Sequence, residues 1–332
     1  FRLSKYQGPL LELYRDNPEF LRPATRMNEV RRFVEGGLRD LSISRTSFDW
    51  GVKVPGADNH VMYVWVDALT NYLTGVGYPD DTEEFRKFWP ASVHLIGKDI
   101  VRFHAVYWPA FLMSAGIALP KEVFAHGFLL NRGQKESKSL GNVTDPNELA
   151  DRFGVDALRY FLLREFTFGQ DGGYSAEAIA NRSNSELANS FGNLAQRTLS
   201  LIHKNCDGRP PPINGHSEAD NALFDLLDKV TRQEMPAAYD KLAFAQALES
   251  WMGAVYACNA YIDEAAPWAL RKTDPERMQT VLATLYIAIA VLAVAVMPVM
   301  PQSMASLLDA MGLGAGLRTF EGIWSQWYSP RA

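Results

Sequence analysis

The stretch from His94 to Trp108, H-L-I-G-K-D-I-V-R-F-H-A-V-Y-W, holds the side chains best placed to do chemistry. Ser92 to Ile96 alternates as a short strand does, Gly97 breaks the run, and Asp99 opens a helical pattern with a carboxylate suited to the amide-rich first turn. Ile100, Phe103, His104 and Trp108 follow at i, i+3, i+4 and i+8, which predicts one shared helix face. In an open α/β sheet, ligands bind beyond the carboxyl ends of the strands. A carboxylate there can hold a ribose hydroxyl or an ammonium group, beside an aromatic wall carrying one imidazole. An ordinary strand, turn and helix with its aromatics in the core fits the same spacing, and the residues alone leave both readings open.

The elements that must position these groups can be followed along the chain. Two helices are expected around Leu3–Tyr14 and Asn28–Glu35, separated by breaks at Asn17-Pro18 and Arg22-Pro23. Ser47 to Gly56 is a loop-and-strand region with Pro55-Gly56 as a turn. Val61 to Val66, V-M-Y-V-W-V, is strongly β-prone, and Asp67 is suited to cap the helix that follows, which brings Trp65 and Tyr72 near one crevice. The same two aromatics equally suit a strand packed on its helix. Tyr78 to Trp89 is a charged connection with a helical centre, and Gly116 with Pro120 ends the helix running through Ala115. Val123 to Leu130 is a buried strand in which Gly127 would let a flat ligand approach the backbone. Strands near 61–66, 92–96 and 123–130 alternating with helices predict a parallel sheet.

Asn131 to Asn142, N-R-G-Q-K-E-S-K-S-L-G-N, is a polar loop, and a solvated turn with two exposed lysines is its simplest reading. Asp145-Pro146-Asn147-Glu148 reads as a helix start with Asp145 as cap, and helices follow near 146–152 and 156–163. From Ala176 the periodicity is helical, near 176–204, 219–235, 240–263, 275–296 and 302–310, the pattern of an antiparallel helix bundle. The fold class expected is therefore α/β followed by all-α.

At 332 residues the chain has room for two or three domains, and 47% hydrophobic with 21% charged residues is ordinary globular composition. A formal net charge of −5 speaks against a protein coated in nucleic acid, while leaving room for a local basic patch. Cys206 and Cys258 form no C-x-x-C pair, so nothing supports a zinc ribbon or a disulfide framework, as fits a reducing compartment. The first residues show no charged n-region followed by an apolar h-region, so a secretion signal is not expected among them. Its first residues look mid-element and lack a starting methionine, so a piece of something longer is expected. Val281 to Met300 is uncharged and long enough to span a bilayer, but it is alanine-rich and cut by Pro298 and Pro301. It is read as the buried central helix of the bundle.

Taken together these pieces resemble the class I aminoacyl-tRNA synthetases, most closely their methionyl family. K-E-S-K-S at 135–139, followed by L-G-N, resembles the family's K-M-S-K-S motif, with Glu136 in place of Met, an anionic side chain in a phosphate-binding loop. V-W-V-D-A-L-T-N-Y is similar to the family's W-x-D-A segment, and H-L-I-G-K-D-I-V-R-F-H to its ribose and methionine segment. G-N-L-A-Q-R at 192–197 and A-P-W at 266–268 resemble anticodon-reading positions. The resemblance covers nearly the whole chain with several motifs in order. The family's H-I-G-H motif is absent; it belongs to the first half of the nucleotide-binding fold, ahead of this sequence.

The resemblance implies ATP-dependent activation of L-methionine to methionyl-adenylate and transfer to tRNA(Met), by a chain that is an incomplete portion of the cytoplasmic enzyme and needs a second chain or an amino-terminal segment to complete its site. It implies the end of a connective insertion at 1–40, the second half of a Rossmann-like catalytic domain at 41–130, a KMSKS-loop and stem-contact region at 131–175, and a helical anticodon-binding domain at 176–332. Lys138, Lys135 and Arg45 would be catalytic. Lys138, Ser137, Ser139, Gly97, Asp99 and His126 would bind ATP, which brings Mg2+ with it. Trp65, Ala68, Tyr72, Ile100, Phe103, His104 and Trp108 would form the methionine pocket, while Asn193, Arg197 and Trp268 would read the anticodon. Zinc is not expected in this part of the chain, nor any membrane contact. Two other readings are a different class I synthetase of the Ile, Leu, Val or Cys group, and a non-catalytic tRNA-binding fragment. The aromatic pocket and A-P-W favour methionine over the first, and amino-acid-dependent pyrophosphate exchange separates the second.

Overall fold

A computed structural model describes residues 1–131, 134–136 and 143–327, the side chains of 134, 135, 326 and 327 excepted. The chain divides into two units, Phe1–Phe128 with Gly169–Asp171, and Leu129–Phe168 with Gly172–Ala332.

In chain order the first unit contains strands β1 (Leu21–Arg22), β2 (Ser44–Arg45), β3 (Lys53–Val54), β4 (Ala57–Met62), β5 (His94–Gly97) and β6 (Val123–His126). β1, β6 and β5 form a parallel sheet in that order, with His94 opposite Val123 and Gly97 opposite His126. Amphipathic helices cover it. Leu10 and Tyr14 of Gln7–Asp16, and Met27, Val30 and Val34 of Ala24–Glu35, are buried with Leu21, Ile96, Val123 and Ala125. Spacings of three and four residues put each apolar set on one side of its helix.

The strand expected at 61–66 lies instead at Ala57–Met62, and it belongs to a separate antiparallel sheet, β2-β4-β3. The Pro55-Gly56 turn pairs Val54 with Ala57, so this segment is committed to a hairpin before the β-prone V-W-V is reached. The helix then starts at Val64, carrying Trp65 on the helix rather than the strand. Its N-cap is Tyr63, without a side-chain cap, and Asp67 sits within the first turn. Asp99 likewise does not cap: the short 3-10 turn Lys98–Ile100 begins after Gly97 with no side-chain cap bond. Phe103–Tyr107 then forms a π-helical turn that runs into the α-helix Trp108–Ala115. The buried Tyr14 hydroxyl donates to the carbonyl of Ala105 inside that turn, at 2.6 Å.

The second unit opens with β7 (Leu129–Asn131), β8 (Gln134–Lys135) and β9 (Gly172–Tyr174), ordered β8-β7-β9, with Asn131 opposite both Gln134 and Tyr174. The expected single strand 123–130 is thus two strands in two units. Asp145 caps helix Pro146–Phe153 by accepting from Asn147 N at 2.8 Å. Helix Val155–Glu165 follows, and Asp156 and Arg159 bond to the backbone of Ser303 and Val299 in the bundle.

The bundle is built around Phe244–Ala265 and Pro275–Val296, both of 22 residues. The latter is long and apolar enough to cross a membrane, but 94% of its most apolar window is buried in the surrounding helices. The Trp251 indole donates to the carbonyl of Leu292 at 2.9 Å and joins the two. Ser183–Gly192 and Val230–Glu234 are π-helical, where uninterrupted α-helix is expected from periodicity. Helices Pro267–Thr273 and Phe320–Trp327 lie outside the ranges that the periodicity predicts; the first is split from Phe244–Ala265 by the left-handed Ala266.

Asp220 ties the bundle together. It is fully buried, completes a capping box with Ser217, accepts Nη2 of Arg277 at 2.8 Å, and contacts Nη1 of Arg277 and the Tyr261 hydroxyl. Burial by itself pushes the Asp220 carboxyl up, but these hydrogen bonds and the Arg277 charge outweigh it and hold it at about 2.

Candidate functional site

Helix Val64–Thr74, strand β5 and the π-helical turn bring one aromatic cluster together in the first unit. Trp65 stacks on Phe103 with ring centroids 3.8 Å apart and planes 8° from parallel. Tyr72 lies against His94 at 4.3 Å and meets His104 edge-on at 5.6 Å, and Trp108 meets Trp89 edge-on. Leu69, Leu73 and Leu112 fill behind them. Phe103 and His104 of the π turn both face helix Val64–Thr74, Phe103 stacked on Trp65 and His104 edge-on to it at 6.0 Å.

The hydrogen bonds assign the imidazole protons. His104 Nδ1 lies 3.0 Å from the carbonyl of Ile100, which only accepts, so Nδ1 carries the hydrogen. Its Nε2 then accepts from the Tyr72 hydroxyl at 2.9 Å. His94 Nε2 accepts from the Trp108 indole at 3.4 Å. Burial pushes both imidazoles down, His94 to about 4 with help from neighbouring His104, while the Ile100 carbonyl only partly offsets the fall for His104. Both rings are neutral at pH 7. An uncharged, ring-lined surface with one phenol at its 39%-exposed edge suits a flexible apolar side chain such as a thioether. His104→Phe should keep the packing but leave the Tyr72 hydroxyl without its acceptor. We expect a loss of about 1 kcal/mol of stability, read by urea unfolding; an unchanged midpoint would mean that the Tyr72–His104 bond contributes nothing.

The remaining expected pocket residues are nearby: Ala68 is exposed on the same helix as Trp65 and Tyr72, and Ile100 is half-buried at the start of the turn. Gly97 ends β5, and a methyl group there would meet Asp99 Oδ1 at 2.7 Å, so the exposed carboxylate of Asp99 folds back over the glycine. His126 ends the adjacent strand and its Nδ1 donates to the carbonyl of Gly127 at 2.8 Å. Gly127 faces no open ligand space. A methyl group there would lie 2.2 Å from the Gln170 carbonyl oxygen, so the close neighbour is the chain's own 169–171 segment. Arg45 stacks on the Tyr63 ring at 4.1 Å and donates to the carbonyls of Ser42 and Ser44.

In the second unit, Ser137, Lys138 and Ser139 lie outside the described residues, as does the side chain of Lys135. Glu136 is described. Partial burial would raise its carboxyl, but hydrogen bonds from Tyr174 and Thr144 outweigh that and hold it below the usual range. Asn193 is exposed at the start of helix Asn193–Asn205, with Arg197 one turn on. The Arg197 guanidinium lies 5.4 Å from the Trp268 ring and is held by Asp263 at 2.6 Å. The left-handed Ala266 and Pro267 turn the chain so that Trp268 is 48% exposed. An exposed indole with a cation over it can stack an unpaired base.

Sequence reasoning missed His94 as a member of the cluster, Asp263 beside Arg197, and the partners of Glu136. His94 was legible in part, since alternation along β5 puts it on the buried side with Ile96 while Leu95 is 52% exposed. Among the described residues no three His, Cys, Asp or Glu side chains form a metal-binding group.

A three-stranded parallel sheet and an aromatic cluster in one unit, with a helical bundle in the other, fit the class I tRNA synthetases, and residues 1–199 match the family model described as tRNA synthetases class I (M). Residues 211–319 match the anticodon binding domain of methionyl tRNA ligase, and the chain belongs to the methionyl family of class I tRNA synthetases. It is 57% identical over 327 residues to the Methionine–tRNA ligase of Brucella suis biovar 1 (strain 1330), covering 97% of this chain and 62% of that protein. It is 55% identical over 328 residues to the Methionine–tRNA ligase of Mycobacterium tuberculosis (strain ATCC 25618 / H37Rv), covering 97% and 63%. The solved Mycobacterium tuberculosis methionyl-tRNA synthetase in complex with methionyl-adenylate superposes with a TM-score of 0.94 at 54% identity, over 97% of this chain and 64% of that one. The chain therefore spans less than two thirds of the curated relatives it matches.

Proposed function

We propose that this chain supplies the methionine pocket, the phosphate-facing lysines and the anticodon-reading arm of a methionine–tRNA ligase acting in the cytoplasm. The observation that carries the reading is the neutral Tyr72–His104 pair set among Trp65, Phe103 and Trp108 at the end of β5. In the reaction, the methionine carboxylate attacks the α-phosphorus of ATP, pyrophosphate leaves with its Mg2+, and the 3′-terminal adenosine of tRNA(Met) then takes the acyl group. The protein contributes position and charge rather than covalent chemistry. Trp65, Ala68, Tyr72, Ile100, Phe103, His104 and Trp108 hold the thioether side chain. Gly97 and Asp99 take the ribose, His126 faces the adenine, and Lys138 with Lys135 and Arg45 meets the phosphates. Residues 1–40 would end the connective insertion, 41–130 form the second half of the Rossmann-like domain, 131–175 bear the KMSKS loop, and 176–332 read the anticodon.

Methionine-dependent pyrophosphate exchange tests this, measured on the chain alone and on the chain supplied with the part of the Brucella relative that it does not cover. Exchange in the completed protein supports the reading; none in either leaves a tRNA-binding fragment. That second reading has its own support, because Arg197 and Trp268 sit in the helical unit, distant in sequence from the pocket. For either reading Trp268→Ala should cost about 1–3 kcal/mol of tRNA affinity, the worth of one base stacked on an aromatic ring. Filter binding of tRNA(Met) should show it, with methionine affinity unchanged; loss of both would mean misfolding.

A further inference from the structure

The departure of Glu136 from the family motif has a structural partner in the second unit. Glu136 follows β8 directly and stands before the 137–142 connection, while Thr144 stands just after it. Glu136 Oε1 accepts from the Tyr174 hydroxyl at 2.5 Å and from the backbone N–H of Thr144 at 3.3 Å. The Thr144 hydroxyl contacts the Tyr174 hydroxyl and accepts from Asn131 Nδ2 at 3.3 Å. Tyr174 lies opposite Asn131 in the β7–β9 pair, so these two partners belong to one small sheet and Thr144 is bonded to both of them. A carboxylate has lone pairs for all these donors. A thioether at 136 would be only a weak acceptor for them.

We propose that Glu136 is a positioning residue whose carboxylate fastens the chain entering the lysine-bearing connection to the chain leaving it at Thr144, and both to β9 through Tyr174. The connection then begins and ends at fixed points on the sheet. The negative charge is spent on hydrogen bonds within the protein rather than facing phosphate. The consequence for ATP rests on the function proposed above, whereas the fastening itself does not.

Amide hydrogen exchange on the chain, with ATP affinity of the completed protein by equilibrium dialysis of MgATP, tests both parts. Glu136→Met and Glu136→Ala should speed exchange in peptides covering 143–146 and 172–176 about tenfold, the loss of roughly one net hydrogen bond. Glu136→Gln, which keeps an acceptor oxygen, should stay near wild type, and Tyr174→Phe should match Glu136→Ala without adding to it. Exchange in helix Pro275–Val296 should not change in any variant, which guards against general unfolding. The ATP dissociation constant should rise about tenfold in Glu136→Met and return in Glu136→Gln. Wild-type exchange rates in Glu136→Met, or fully additive effects with Tyr174→Phe, overturn the fastening. Normal fastening with ATP affinity equal in wild type and Glu136→Met overturns its positioning role. No ATP binding by the completed wild-type protein would count against the proposed function alone, and the exchange rates would still decide the fastening.

Discussion

Asp220→Ala is expected to cost the helical unit about 3 kcal/mol, the lower part of the range for breaking a buried ion pair. The lower part applies because Asp220 is fully buried while the Arg277 side chain keeps 26% of its exposure, so water can partly take over the orphaned guanidinium. The change removes several bonds at once: the return half of the capping box to Ser217, both contacts to Arg277, and the acceptor for Tyr261. Urea unfolding followed by far-UV dichroism should show a lower midpoint with an unchanged slope. A loss below about 0.5 kcal/mol would reduce the pair to the worth of a surface salt bridge.

The pH dependence has a definite sign. The folded carboxyl is held at about 2, below its ordinary 3.8. The stabilisation is therefore complete above the ordinary value and disappears as pH falls through it toward the folded value. The stability difference between wild type and Asp220→Asn should be constant above about pH 5 and should shrink between about pH 4 and 2. A difference that stays constant across that interval would mean that the carboxylate charge contributes nothing.

Lys138→Ala should lower methionine-dependent pyrophosphate exchange in the completed protein by about 10²-fold or more. Negative charge moves onto the leaving pyrophosphate as the α-phosphorus is attacked, and an ammonium group is worth most where that charge develops. The effect on kcat should exceed any change in ATP affinity, since the ammonium group is worth more in the transition state than in the ground state. Lys138→Arg should recover only part of the rate, because a planar guanidinium presents its donors differently from a compact ammonium. An unchanged exchange rate in Lys138→Ala would remove the lysine from the reaction.

Much of this protein could be read from residue order. Periodic apolar spacing marked the helices, down to Pro275–Val296, whose uninterrupted apolar run can only be a helix buried on every side or one in lipid. Motif residues that are close in sequence, such as Phe103, His104 and Trp108, are also close in space, because successive turns of one helical stretch carry them. Local rules failed where a partner came from far along the chain. The V-M-Y-V-W-V run is β-prone throughout, yet hairpin pairing of 57–62 ends the strand early and leaves Trp65 to a helix. Gly127 marks a close approach, as glycines in strands do, but the approaching group is the Gln170 carbonyl, 43 residues on. Glu136 looked like a stray charge until Tyr174 came alongside it.

Side-chain type, helical period and motif order were thus settled by the sequence itself, since they depend on neighbours within one or two turns. Which hydroxyl meets the His104 imidazole, and which cation pairs with Asp220 or Asp263, were decided only by the tertiary structure. The physical reason is that burial and hydrogen-bond direction are set by groups tens of residues apart, and those are brought into contact only when the sheets and helices pack.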